Sequence, residues 1–401
     1  MKSQFSGYFK KSDEEREVIW SNSIFVLDAN ILLNLYRYSE TTKSEVLNIL
    51  KSDNIKNSLW LPHQAASEYL ENRTSVIFSQ EKSYMDTKKS VENMKKDLEN
   101  TRSHPFVTEA TMQKLTAVFT ELNDELELSL ESHRKKLTDD DIKRDISELF
   151  EQKVSPAYSG KELLSIAEEG VLRYKDKIPP GFMDDSKNSD SDSISAKMKK
   201  YGDLILWYQI IDIAKTKGKN IIFVTDDKKE DWWEIFKGKT IGARPELIKE
   251  FKEKTDFEIL IYQINPFLKH VTSYLQETVS QESVREIQNV SSRNVKKLIE
   301  NKSEILKVEH SQLMIELMVV DSNITNLNLK SKNLKDKKAM ELELGAISSE
   351  QQFVTDYEVA EAHKEIMRLI GLKENLVSQV HNIEKKMRNE DISTEVKFSF
   401  M

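Results

Sequence analysis

The chain has 401 residues, of which 32% are charged, a formal net charge of −8 and no cysteine. That excludes disulfides, thiolate zinc sites and cysteine nucleophiles and fits a reducing compartment; the acidic balance excludes a generally basic nucleic-acid coat but leaves room for a local basic groove. Only 10 Gly and 7 Pro predict a helix-rich protein of two or three domains, and no apolar run of signal-peptide or membrane-span type is seen, so a cytoplasmic location is expected.

Residues 1–18 read as a polar lead-in. A short apolar run, β-branched at Ile24 and Val26, then ends abruptly on Asp28 before helical spacing resumes. This predicts a strand delivering an acid to its C-terminal edge, where open α/β sheets collect ligands; an Asp there also serves simply as a helix N-cap. Residues 40–50 read as a helix and Leu59-Trp60-Leu61-Pro62 as a brief strand ended by proline. From His63 the spacing is helical again, with Ala65, Ala66, Tyr69 and Leu70 on one face and Glu68 and Glu71 as neighbours on the helix.

Residues 76–160 are long, charged and almost free of glycine. They predict a solvated helical insertion of two or three helices broken near His104-Pro105. The alternative reading is a clamp over a long substrate, using Lys82, Lys88, Lys89, Lys95 and Lys96. Ile178-Pro179-Pro180-Gly181-Phe182 then reads as rigid and extended, and the Ser/Asp-rich stretch 184–195 as unable to bury much apolar surface. Tyr201-Gly202-Asp203 runs into a helix over 204–214. Asn220-Ile221-Ile222-Phe223-Val224-Thr225 is the plainest strand of the chain and ends on Asp226-Asp227, as the first ended on Asp28. Trp232-Trp233-Glu234-Ile235-Phe236 is predicted to continue as helix.

Four acids thus occupy comparable places: Asp28 and Asp227 at strand ends, Glu68 within a helix and Asp203 at a helix start. Each has a plain structural reading, Asp203 as an N-cap, Asp227 with Glu230 as a capping box, Glu68 as a surface charge. Together they would supply the several oxygens that a hard divalent ion needs.

The stretches Val26-Leu27-Asp28-Ala29-Asn30, Pro62 with Ala66-Ser67-Glu68-Tyr69, Tyr201-Gly202-Asp203-Leu204-Ile205-Leu206-Trp207 and Phe223-Val224-Thr225-Asp226-Asp227 resemble, in that order, the acidic motifs of PIN-like nuclease domains. With Lys228-Lys229-Glu230-Asp231-Trp232-Trp233, the Ile178-to-Phe182 segment and Arg244-Pro245-Glu246-Leu247, the chain is similar to a bacterial PIN-like branch that carries a long helical insertion. The resemblance covers about residues 20–75 and 170–275. It implies an α/β fold with a central parallel sheet flanked by helices, over a discontinuous nuclease domain of residues 19–75 and 161–275. It also implies a Mg2+- or Mn2+-dependent endonuclease, with RNA expected rather than DNA. By position, Asp28, Glu68, Asp203 and Asp227 would form the acidic cluster, with Asn30 and Thr225 as supporting groups. The doubled acid leaves Asp226 and Asp231 open as alternative metal ligands. Water made acidic by a bound metal would attack phosphorus, with no amino-acid nucleophile. Arg173, Lys175, Lys199 and Lys200 would then hold the phosphate backbone, or else form a solvated face.

Other classes fit less well. A haloacid-dehalogenase-type phosphotransferase would want an acid where Asn30 stands, and a response-regulator receiver would want paired acids at the first strand. No phosphate-binding loop and no His-Glu-x-x-His zinc helix occurs.

Residues 276–401 form a different material. Ile299, Leu306, Leu313, Val320, Leu327 and Leu334 recur at seven-residue intervals, with Leu317 and Ile324 on the adjoining seam and Ser303 and His310 as polar interruptions. After a break near Gly345, the residues Ile366, Leu369, Leu376, Val380, Ile383 and Met387 repeat the pattern. Two long helices are predicted, folded back as a coiled-coil hairpin or paired between chains as a homodimer. The expected function is therefore a metal-dependent ribonuclease with a helical arm, suited to phage defence or to a regulated toxin and open to an activating protein partner. The alternative is a non-catalytic RNA-binding or scaffold protein on the same fold.

Overall fold

The computed structural model describes residues 1, 5–99, 107–185, 198–345 and 348–398, with the side chains of all of these except 293–305 and 389–398. Helix α1 (Asp13–Ser21) begins with a reciprocal capping box between Ser12 and Glu15. Strand β1 (Ser23–Leu27) is buried along its whole length. Asp28 then caps α2 (Ala29–Asn34), Ser39 caps α3 (Glu40–Lys51), and α4 (Asp53–Lys56) leads into the short β2 (Leu59–Trp60). Helix α5 (His63–Glu99) starts beside the sheet and runs on into the insertion, where it packs against α6 (Glu109–Lys135) through the Arg134–Glu81 ion pair at 2.7 Å. The insertion returns to the body through α7 (Asp141–Leu149), whose Ile142, Ile146 and Leu149 join the main core.

The second half of the body contains α8 (Gly160–Lys175), α9 (Gly202–Lys217), β3 (Asn220–Val224), β4 (Trp233–Phe236), β5 (Lys239–Ala243), α10 (Pro245–Thr255), β6 (Ile259–Tyr262) and α11 (Ile264–Leu275). The main sheet runs β2-β1-β3-β6 and every pair in it is parallel. Chain order reverses between β1 and β3, because the chain passes from β1 to β2 on one side and then crosses back to β3 on the other. That reversal opens a crevice at the carboxyl ends of β1 and β3. Leu27 pairs with Val224 there, so the residues that follow, Asp28 and Thr225, emerge side by side.

The residues expected to continue as helix after Trp232 form a strand instead. Trp233–Phe236 pairs antiparallel with Lys239–Ala243. The cause is the two-residue turn between them, where Lys237 and Gly238 both have positive φ, 48° and 76°. Two consecutive left-handed residues make the turn whose twist matches a hairpin, and this outweighs the helical spacing of the aromatics.

The chain divides into two compact units, Met1–Arg293 and Asn294–Met401. Helix α12 (Gln281–Glu343) begins within the first unit, where Ile287 is fully buried in the main core. In the second unit, the rest of α12 pairs with α13 (Ser349–Phe398) within one chain. Val320, Leu369 and Leu376 are buried together, with Leu313, Leu317, Ile324 and Leu327 packed against them. Lys373 closes the seam on Asp321 at 2.7 Å, and His310 stands 3.6 Å from Glu384. The side chains of Ile299 and Ser303, the His104-Pro105 break and residues 186–197 lie outside the described residues. Among the described residues no helix is long and apolar enough to cross a membrane.

Candidate active site

Backbone pairing sets the site. Asp28 N donates to Val224 O and Thr225 N to Tyr262 O, both at 3.0 Å, so the ladder carries one residue beyond each strand. The Thr225 side chain is the hub. Its Oγ1 donates to Asp28 Oδ2 at 2.6 Å and accepts from Asn30 Nδ2 at 3.1 Å and from Asp227 N at 3.0 Å. One donor and two lone pairs are all that a hydroxyl offers, so Thr225, fully buried, is saturated. Asn30 braces the same point: its amide donates to Asp28 Oδ2 at 2.6 Å and its carbonyl accepts from Asp226 N at 2.9 Å.

The two helix acids arrive from either side of a close contact between α5 and α9. Gln64 N donates to Gln209 Oε1 at 2.8 Å, and Gln64 Nε2 donates to Glu68 Oε1 at 2.6 Å. The first residue of α9 is Gly202, where a Cβ would stand only 3.0 Å from Glu68 Oε1. The glycine therefore makes room for the Glu68 carboxylate beside Asp203. Gly181 does the same from the third side: at φ +92°, a Cβ there would meet Tyr174 Oη at 2.3 Å and Asp203 Cβ at 3.2 Å.

Electrostatics show which acids meet. The Asp28 carboxyl is raised to about 8, first by burial and then by the charge of Glu68, with Asp203 and Asp227 adding to it against the Thr225 hydrogen bond. Acids from three other stretches of chain thus act on the one buried Asp28 carboxyl. Lys229 answers them. Its ammonium lies 3.0 Å from Asp184, 3.4 Å from Asp203 and 3.0 Å from Asp227. Burial would lower its pKa, but these three charges raise it far above the ordinary lysine range.

The doubled acid resolves into two roles. Asp227 joins the cluster, whereas Asp226 faces α2 and α12, accepting from Asn34 Nδ2 at 2.8 Å and Ser291 Oγ at 2.6 Å. Asp231 is fully buried, and its Oδ2 accepts from Gly181 N at 3.0 Å and Met183 N at 3.2 Å, which ties down the loop under Asp203. Its Oδ1 has no hydrogen-bond partner, and burial followed by the Asp203 charge raises it to about 6.

The four basic residues expected to hold phosphate separate. Arg173 does not face a channel. It is buried, forks onto Glu250 at 2.7 and 2.8 Å and donates to Pro179 O at 2.5 Å. Breaking a buried pair of this kind costs about 3–5 kcal/mol, so Arg173 is committed to the fold. Lys175 and Lys199 are exposed, Lys199 with Glu71 3.5 Å away, and Lys200 stands 5.0 Å over the Tyr201 ring and 3.2 Å from Asp185. Sequence reasoning missed Lys229 and Asp184. The signal for Lys229 was its place two residues after Asp227, whose Oδ1 accepts its backbone N–H at 2.8 Å.

Carboxylate oxygens are the donor set of a hard ion such as Mg2+ or Mn2+, and Gly202 leaves room for a Glu68 carboxylate oxygen, 3.0 Å from where its Cβ would stand. Among the described residues no three acidic or histidine side chains close on one ion-sized point, as three of the acids turn to Lys229 instead. Magnesium needs no such cage: one or two carboxylates with water and substrate phosphate suffice. Asp28 and Glu68 are two carboxylates whose charges act on each other, the number that requirement names.

A family model described as a PIN-like domain matches residues 24–247. No curated protein and no solved structure matches the chain.

Proposed function

Because this chain belongs to the PIN-like domain family, a nuclease-type family, we propose that it is a metal-dependent endonuclease that hydrolyses phosphodiester bonds, with RNA as its substrate. The observation that carries the reading is the buried Asp28 carboxyl, raised to about 8 by burial and by the charges of Glu68, Asp203 and Asp227. Repelling carboxylates gathered at a sheet crevice are costly unless a cation is held there.

Asp28 and Glu68 would hold a Mg2+ or Mn2+ ion, with Asp203 and Asp227 across from them. When bound, the ion supplies a water acidic enough to attack phosphorus and positive charge against the leaving oxygen. Thr225 and Asn30 fix the Asp28 carboxylate so that it need not reorganise during reaction. Lys175, Lys199 and Lys200 offer the outer contacts to the phosphate backbone. A chain that joins this site to a long helical hairpin suits a regulated enzyme, in phage defence or as a toxin, whose hairpin engages an activating protein.

A second reading has an observation in its favour. Lys229 already neutralises part of the cluster from within, as a non-catalytic RNA-binding scaffold would require. Labelled single-stranded RNA and DNA, incubated with the protein in Mn2+ or in chelator, separate the two. The nuclease cleaves RNA in Mn2+ only and leaves no 2′,3′-cyclic phosphate, because water and not the 2′-hydroxyl attacks. Binding without cleavage in Mn2+ establishes the scaffold.

A further inference from the structure

Lys229 is held more firmly than a surface lysine. Its backbone N–H is taken by Asp227 Oδ1 at 2.8 Å, and its carbonyl accepts from Trp232 N and Trp233 N, both at 3.2 Å. From that fixed backbone the side chain, 25% exposed, carries its ammonium into the midst of Asp184, Asp203 and Asp227. An ammonium has three donors and no acceptor, so three carboxylates satisfy it in the way that ligands satisfy an ion. Asp184 serves this contact from the end of the short 3-10 helix Phe182–Asp184 that follows Gly181, and its Oδ2 accepts from Lys229 Nζ at 3.0 Å. The Asp28 carboxylate is held differently. The donors to the Asp28 carboxylate are Ala29 N, Asn30 Nδ2 and Thr225 Oγ1, all neutral.

We propose that Lys229 takes the part of a second metal ion. On this account the site binds one divalent ion, on the Asp28 and Glu68 side, and the Lys229 ammonium is the built-in second cation that keeps Asp203 and Asp227 together. Lys229 is thus a positioning residue, acting through the carboxylates it gathers. Removing its charge leaves the carboxylates of Asp184, Asp203 and Asp227 uncompensated around the place the ammonium held, and such unbalanced hard-ion ligands draw in a further divalent ion. The inference rests on the metal-dependent reading above.

The test is a Mn2+ titration of the full-length protein by calorimetry, with free Mn2+ followed by electron paramagnetic resonance, for the wild type, Lys229→Met and Lys229→Arg. The wild type and Lys229→Arg should each bind one ion per chain, and Lys229→Met should bind two. A lysine that was merely structural would change the melting temperature without changing the count. Two ions in the wild type, or one ion of unchanged affinity in Lys229→Met, overturns the proposal and leaves the metal-dependent reading standing. No ion in any of the three overturns both. Lys229→Gln carries the same expectation and replaces Lys229→Met should that variant fail to fold.

Discussion

At the scale of residues, the site is a problem in charge. Asp28 binds its proton more tightly in the folded protein, where it is raised to about 8, than in the unfolded chain, where it titrates at 3.8. Folding therefore takes up a proton between these values, and the Asp28 contribution to stability is lost as pH rises through that window. In chelator, the wild-type melting temperature should fall from about pH 5 to about pH 8, while Asp28→Asn, which imitates the protonated form, should flatten the fall and melt higher at the upper end. A wild-type melting temperature that rises over the same range would contradict a buried, repelled Asp28. Some of this chemistry is legible in the chain. Asp28 and Asp203 stand out because each sits where one periodicity gives way to another. The choice between Asp226 and Asp227 is not legible, because it depends on Asn34 and Ser291, which the fold brings to Asp226 from far along the chain. Arg173 misleads for a related reason: a basic residue reads as a phosphate ligand until Glu250, 77 residues away, arrives to pair with it. Lys229 hides in the opposite way, since a lysine beside acids reads as part of a solvated face.

At the scale of elements, strong periodicity was enough for β1, β3, α9 and the arm helices, and weak points fell where a turn decided the outcome, as at Lys237-Gly238. The least legible boundary is the start of α12. Its heptads announce an arm, yet its first turns belong to the first unit: Ile287 is fully buried, Ser291 Oγ donates to Asp226, and Lys228 Nζ donates to Ser291 O at 3.2 Å. A helix that reads as one element from its spacing is thus divided by what it packs against. A chain ending at Arg293 should keep its cooperative melting. One ending near Tyr274 should lose about 2–5 kcal/mol through the missing Ile287 alone, and the Asp226 to Lys229 loop would lose its brace. Equal urea midpoints for the two truncations would show that α12 contributes nothing to the nuclease body.

At the scale of the whole molecule, the seams of α12 and α13 cover each other within one chain, which removes the need for a partner at those positions. The outer side of α12 still exposes Val308, Ile315, Met318 and Val319, an apolar run of the kind that marks an interaction surface. Light scattering should therefore find the full chain as a dimer at micromolar concentration and the chain ending at Arg293 as a monomer; a monomeric full chain would leave those residues to a different protein. The proposed chemistry depends on the charges of Asp28 and Asp203, and the decisive measurement is the rate of RNA cleavage in Mn2+ by Asp28→Asn and Asp203→Asn beside the wild type. Each substitution keeps the shape and removes a charge, so each variant should remain folded and cleave at least roughly a hundredfold more slowly. Folded variants that cleave at the wild-type rate would exclude both acids from the reaction.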